Sequence, residues 1–261
     1  MLLIYKMKSP FWEKAKLFWK GGLPIQNSSY AITRTAVGHA IGSFYGFQTE
    51  GIFQNQGEID AYVSSGGDPV QPNAQPGDFR WADLNNDGKI DADDRTFMGD
   101  PTPNWSLGCT FNAAWRNFDF LVFGQGVAGN QIFQALRRMD IPTANWQRNA
   151  LDRWHGEGTS DSYPRLTISD ANKNFANPSV FHLHSGDYFR IKTLQIGYTL
   201  PESIINRAGM YRARVYVSSN NLLTITDYPG FDPEIGGSSY GIDRAIYPQS
   251  RSLLLGLNIG F

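Results

Sequence analysis

The sequence predicts an all-β protein of the transmembrane-barrel kind, with about six long antiparallel strands, long loops and short helical turns. Three observations carry that expectation. Segments of about ten residues alternate apolar with polar between turn signals, and glycines and prolines interrupt every apolar run before it could span a membrane as a helix. The alternation also persists to the last residue: Leu253, Leu255, Leu257, Ile259 and Phe261 share one face, while Ser252, Gly256, Asn258 and Gly260, with Leu254, share the other. A soluble β-sandwich is the competing architecture, but an apolar strand ending on an aromatic suits the seam and interface of a barrel better.

Taken in order, residues 1–21 are a basic and aromatic lead without a placed role. Phe11, Ala15, Phe18 and Trp19 suit a helical face, Leu17 and Trp19 a strand face, and the lead lacks the apolar core and cleavage site of a signal peptide. "SFYGFQTEGIFQ" reads as a strand with a bend, "NQGEIDAYVSSGG" as a short helix, and the proline-rich "DPVQPNAQPGD" as loop. "WSLGCTFNAAW" and "FDFLVFGQGV", separated by "RN", form the clearest hairpin. "NQIFQALRRM" has a helical pattern, and residues 141–186 show no sustained period. "YFRIKTLQIGYTLP" and "RARVYVSSNNLLTIT" read as long strands around the turn "ESIINRAGMY"; a second long loop then leads into "RSLLLGLNIGF".

Composition excludes several classes. The 261 residues carry 23 Lys and Arg against 24 Asp and Glu, so a net charge of -1 supplies no field for nucleic acid. The single cysteine, Cys109, makes neither a disulfide framework nor a thiolate cluster. A mean hydropathy of -0.36 suits a barrel or a soluble protein equally.

"DLNNDGKIDADD" has the spacing of a calcium loop. Asp83, Asn85 and Asp87 stand at positions 1, 3 and 5, Gly88 at the sharp turn, Lys89 at the position that offers its backbone carbonyl, Asp91 at position 9 and Asp94 at position 12. Hard oxygen donors favour calcium over zinc or copper. Position 12 is Asp rather than Glu, as in dockerin-type loops, and no helix pair follows for the ion to open. The plain alternative is an acidic surface turn. His182 and His184 would project from one side of a strand as rim histidines rather than as a metal pair. "GQGVAGN" lacks the lysine-serine finish of a phosphate cradle, and no catalytic constellation is spaced into the chain. Trp105, Trp115, Tyr188, Tyr198 and Phe261 fall near strand ends, where a barrel places its girdles. Trp146, Trp154, Tyr163, Phe231 and Tyr240 fall in long loops, where packing is the first explanation and sugar stacking the second.

Six segments in consistent order carry a family resemblance: "VGHAIGSFYGFQTEGIFQ", "QPGDFRWADLNNDGKIDADDRTFMGDPTPNWSLG", "GQGVAGNQIFQALRR", "GDYFRIKTLQIGYTLP", "RVYVSSNNLLTITDYPGFDPE" and "LLLGLNIGF". Over residues 22–261 the chain resembles the C-terminal part of SusC/RagA-type TonB-dependent outer-membrane transporters of Bacteroidota. The resemblance implies a location in the outer membrane and a non-enzymatic share in a 22-stranded barrel with a plugged lumen. It also implies the partners. These are the remaining barrel and plug polypeptide, outer-membrane lipid, a SusD-like lipoprotein lid, the TonB complex acting through the plug, and an oligosaccharide or peptide substrate. The family's signal peptide, TonB box and plug are not recognisable here, so the chain reads as a fragment or a separately encoded piece. The runner-up is a soluble secreted β-sandwich binding module with a dockerin-like calcium loop; a hydrolase fragment is disfavoured for want of paired catalytic carboxylates.

Overall fold

A computed structural model describes residues 2–6, 30–138, 141, 143–235 and 240–261. The helical or strand faces proposed for Phe11 to Trp19 lie outside the described residues.

Among the described residues there are fourteen strands: β1 (Leu2–Lys6), β2 (Thr33–Arg34), β3 (Ser43–Phe47), β4 (Thr49–Ile52), β5 (Phe79–Trp81), β6 (Arg95–Gly99), β7 (Trp105–Trp115), β8 (Phe118–Ala128), β9 (Gln131–Gln134), β10 (Leu183–Ser185), β11 (Tyr188–Thr199), β12 (Arg212–Thr226), β13 (Ile242–Asp243) and β14 (Ser252–Gly260). Two short helices, α1 (Gln56–Ala61) and α2 (Glu202–Ile205), join them. The principal sheet has six strands in the order β1-β7-β8-β11-β12-β14. All its pairings are antiparallel.

The register sorts side chains onto two unlike faces. One cross-strand row runs Ala113, Phe120, Ile196, Val217, Leu255. The row beside it, on the opposite face, runs Ala114, Asp119, Gly197, Tyr216, Gly256. No second sheet of the described chain covers the apolar face: Leu253, Leu255 and Leu257 are 72, 78 and 63% exposed. Contiguous exposed apolar surface on that scale needs another apolar phase to cover it.

A β-bulge interrupts β11 between Ile191 and Thr193 opposite β8, while on the other side the extra residue lies in β12, between Asn220 and Leu223. One inserted residue, Lys192, keeps Arg190, Lys192 and Thr193 toward the polar face and returns Leu194 and Ile196 to the apolar one. Without it, every side chain beyond the bulge would swap faces.

The connections are short at one end of the sheet and long at the other. Arg116 and Asn117 turn β7 into β8, with Arg116 at φ 54°, and residues 200–211 join β11 to β12. Residues 129–187 and 227–251 make the long connections at the other end. Trp115, Tyr211 and Phe261 are exposed at the short-turn end, where the Phe118 and Tyr198 rings lie 4.7 Å apart. Trp105 is exposed at the long-loop end. Of the five aromatics expected in girdles, Tyr188 departs: it is buried on the polar face, its hydroxyl accepting from the Gln125 amide at 3.4 Å.

The core lies outside the principal sheet, among three small sheets: β2-β3-β6, β4-β5 and β10-β9-β13. Ile32, Phe44, Phe133, Ala135 and Ile242 form one cluster, and Phe47, Ile52, Phe79 and Trp81 another. The helix expected in "NQIFQALRRM" is instead strand β9, paired with β10 and β13. Ile132 and Phe133 are fully enclosed there, and that burial between two strands overrides the local helical preference. The short helix expected at "NQGEIDAYVSSGG" is α1, its Asn55 N-cap accepting from the Glu58 amide at 3.1 Å.

Side-chain amides take the place of a missing strand beside β5. Gln71 donates to the Phe79 carbonyl (3.0 Å) and accepts from the Trp81 amide (2.8 Å), and Asn174 accepts from the Phe79 amide (3.0 Å). Asp78, wholly buried, is bound by Asn174 at 2.8 Å and Arg165 at 2.5 Å. Thus the irregular residues 170–177 dock on a strand edge with its polar groups satisfied.

Candidate functional site

The polar face of the principal sheet holds a linked set of ion pairs. Arg190, almost fully buried on β11, donates to Asp232 at 2.6 Å and to Glu234 at 2.8 Å. Lys192 also reaches Glu234, at 2.6 Å, and the Gln125 amide on β8 approaches it at 3.3 Å. Burial alone would raise the Asp232 carboxyl, but the Arg190 hydrogen bond and the amides of Gln249 and Glu234 outweigh it and hold the group below its ordinary range. The connection after β12 is thereby tied down across the polar face. Sequence reading missed this cluster, although its signal was present: "FRIK" and "DPE" each place two charges two residues apart, the spacing that puts both on one side of an extended chain.

Near the short-turn end, Arg214 on β12 forks onto Asp119 on β8 at 2.8 and 2.5 Å. The two reach each other across Gly197 of β11, where any β-carbon would strike both the guanidinium and the carboxylate.

The acidic loop is folded around its own amides. Asp83 accepts from the Gly88 amide (2.8 Å) and Asp87 from that of Lys89 (3.0 Å). Asn85 accepts from the Asp87 amide (3.0 Å) and Asp91 from that of Asp93 (2.8 Å). Asp94, fully buried, accepts from Leu84 (2.9 Å) and Asp91 (2.7 Å). Gly88 has φ 81° and packs against Ser64, so a side chain there would be strained and would collide. In donor chemistry the loop fits a hard cation. In geometry, no group of three or more His, Cys, Asp or Glu among the described residues is arranged to hold a metal.

His182 and His184 do share a site, a cavity of about 60 Å³ whose wall also includes Gln134, Arg137, Trp146 and Tyr163. His182 is an interior residue rather than a rim one: it lies in a 3-10 turn with its ring stacked on Phe133 at 5.1 Å. Burial lowers its imidazole to about 4, and burial also lowers His184. Burial pushes the Tyr163 phenol up to about 12 against the opposing pull of Arg137. Of the loop aromatics, Trp146 lies under the Arg137 guanidinium at 3.7 Å, Trp154 donates to Gln54 at 3.0 Å, and Tyr163 packs edge-on to Phe181. Phe231 and Tyr240 remain exposed.

Known proteins resemble this chain in sequence and in fold. No protein-family model matches the chain. TonB-dependent receptor P3 of Formosa agariphila is 34% identical over 234 residues, covering 86% of this chain and 22% of that receptor. Receptor P26 of the same organism is 30% identical over 240 residues, covering 88% and 23%. SusC of Bacteroides thetaiotaomicron is 24% identical over 195 residues, covering 72% and 18%. The chain belongs to the SusC/RagA type of TonB-dependent receptors. A structure of the RagAB peptide transporter superposes with a TM-score of 0.64 at 23% identity, over 92% of this chain and 24% of that one. The chain thus spans less than a quarter of the length of the receptors P3 and P26. TonB-dependent receptors are outer-membrane proteins, and so is this one. No helix among the described residues is long and apolar enough to cross a membrane; in this family strands make the crossing.

Proposed function

We propose that the chain supplies six strands of the wall of an outer-membrane importer, together with long loops on its outer side. The observation that carries the reading is the pairing of one exposed apolar face, Phe120, Ile196, Val217 and Leu255, with one polar face, Asp119, Gln195, Tyr216 and Ser218. Such a wall separates hydrocarbon from a wet lumen. Strands β1 and β14 each pair on one side only among the described residues, and open edges are prohibitively costly in lipid. Further polypeptide therefore completes the wall, on this reading to a 22-stranded barrel with a plug.

The import itself, on this proposal, takes up oligosaccharides or peptides beneath a SusD-like lipoprotein lid, with TonB acting through the plug and no enzymatic step. The similarity to SusC and to the RagAB transporter supports it. The test is uptake of fluorescent oligosaccharide and peptide pools by cells with and without the gene. Uptake that vanishes with the gene and with TonB supports the proposal; uptake unchanged in both overturns it.

Calcium at residues 83–94 is a second element of the proposal. The ion would be held by Asp83, Asn85, Asp87, the Lys89 carbonyl, Asp91 and Asp94, and would stiffen a loop that its amide bonds already shape. Terbium luminescence sensitised through Trp81, two residues before the loop, is the direct assay. Loss of the signal in Asp83→Ala supports the site, and no signal in the unaltered protein removes it.

A further inference from the structure

The cavity of about 60 Å³ that holds His182 and His184 is walled by Gln134 of β9, His184 of β10 and the long connection between those strands. We propose that it binds one short monocarboxylate, acetate in size, as a ligand that ties this connection to β9 and β10.

Gln134 is the deciding residue. It lines the cavity, and its side-chain amide nitrogen is buried without a hydrogen-bond partner among the described residues. A buried donor in that state is costly, and a native fold keeps one where something else accepts from it. The rest of the polar wall offers donors too. Arg137 brings a guanidinium, Tyr163 a hydroxyl, and each neutral imidazole one ring N–H. No carboxylate lines the cavity: Asp170, whose charge acts on Arg137, stands outside the wall and already accepts the amides of Asn174 (2.7 Å), Phe175 (3.1 Å) and Ala176 (3.1 Å). An ionised carboxylate only accepts, so it complements such a wall, whereas Arg137 would repel a metal cation.

Charge and size narrow the ligand further. Burial keeps both imidazoles neutral at pH 7, which leaves Arg137 as the one cation of the wall. It matches a single negative charge; a second would be buried uncompensated. A water molecule needs about 10–15 Å³ on the same measure, so the cavity takes about four heavy atoms, as in acetate. An oligosaccharide or a peptide does not fit. Trp146, Phe175 and Phe181 supply carbon surface for the methyl group.

The wall is also held in place beforehand. The Arg137 guanidinium lies over Trp146 at 3.7 Å and donates to the carbonyls of Arg138 and Ile141, each at 3.3 Å, and Trp146 meets Phe175 edge-on at 4.7 Å. A preformed wall lowers the ordering cost of binding. Because the cavity is built wholly from this chain and is too small for cargo, binding here does not depend on the import reading.

The test is saturation-transfer NMR on the detergent-purified protein, with acetate as the probe and acetamide, its uncharged isostere, as the control. The expected result is transfer to the acetate methyl protons, about tenfold or more above that to acetamide and weakened as much in both Gln134→Leu and Asn149→Trp. Asn149 is exposed at the rim, so Asn149→Trp fills the cavity while leaving Gln134 in place and decides alone if Gln134→Leu does not fold. Acetate should also slow protease cleavage within residues 143–163 of the unaltered protein. No transfer to acetate, equal transfer to acetamide, transfer undiminished in a folded variant, or cleavage unaffected by acetate each overturns the proposal.

Discussion

Arg190 and Asp232 meet at 2.6 Å, one on the polar face of β11 and the other in the connection after β12, both nearly excluded from solvent. Removing one partner of such a pair strands the other charge, which typically costs about 3–5 kcal/mol. Arg190→Ala is therefore expected to free residues 227–235 to protease while the principal sheet stays intact. The double variant Arg190→Ala with Asp232→Ala should recover much of the lost stability. Equal protease resistance in all three proteins would show that the pair does not hold the loop.

A second expectation concerns Gly197. Adding a β-carbon there forces the Arg214–Asp119 fork apart, so Gly197→Ala should cost about 1–3 kcal/mol. The loss should shrink in an Asp119→Ala, Arg214→Ala background, where the obstacle is gone. The readout is the temperature at which the folded band shifts on a semi-native gel.

His182 links stability to pH. Its folded value of about 4 lies below the 6.5 of the free side chain, so between the two the unfolded chain binds a proton that the folded one does not. Stability is full above pH 6.5 and declines as pH falls toward 4, by up to about 3 kcal/mol. His182→Phe should flatten the melting temperature across that window. An unchanged slope would mean that other groups carry it.

The two faces should differ sharply in their tolerance of charge. Leu255→Arg places a cation toward hydrocarbon, at a cost of about 2–4 kcal/mol near the midplane, and should reduce the assembled protein recovered from outer membranes. Ser218→Arg, next in sequence to Val217, the partner of Leu255, and so on the polar face, should assemble normally. Equal recovery of both would remove the distinction.

The long strands were legible because their pattern is local: an alternating segment ends at a turn signal, and "RN" between two such segments gives β7 and β8 to the residue at the turn. Strand β9 was not, because Ile132 and Phe133 take their conformation from β10 and β13, the former about fifty residues distant. The same limit hid the charge cluster, since Arg190 and Asp232 are 42 positions apart. Tyr188 was misplaced for a related reason: position near a strand end says nothing of which face a residue takes until the register is known. The oxygen-rich spacing of residues 83–94 was plain, whereas the engagement of each carboxylate by a loop amide follows only from the folded backbone.

Spin labels report the central relationship directly. In a Cys109→Ala background, labels at Leu255→Cys and Ser218→Cys in reconstituted bilayers are compared for collision with oxygen, which concentrates in lipid, and with a water-soluble nickel chelate. The label at 255 should meet oxygen and escape nickel, and the label at 218 should do the reverse. Nickel reaching both labels alike would contradict the placement of this sheet between membrane and lumen.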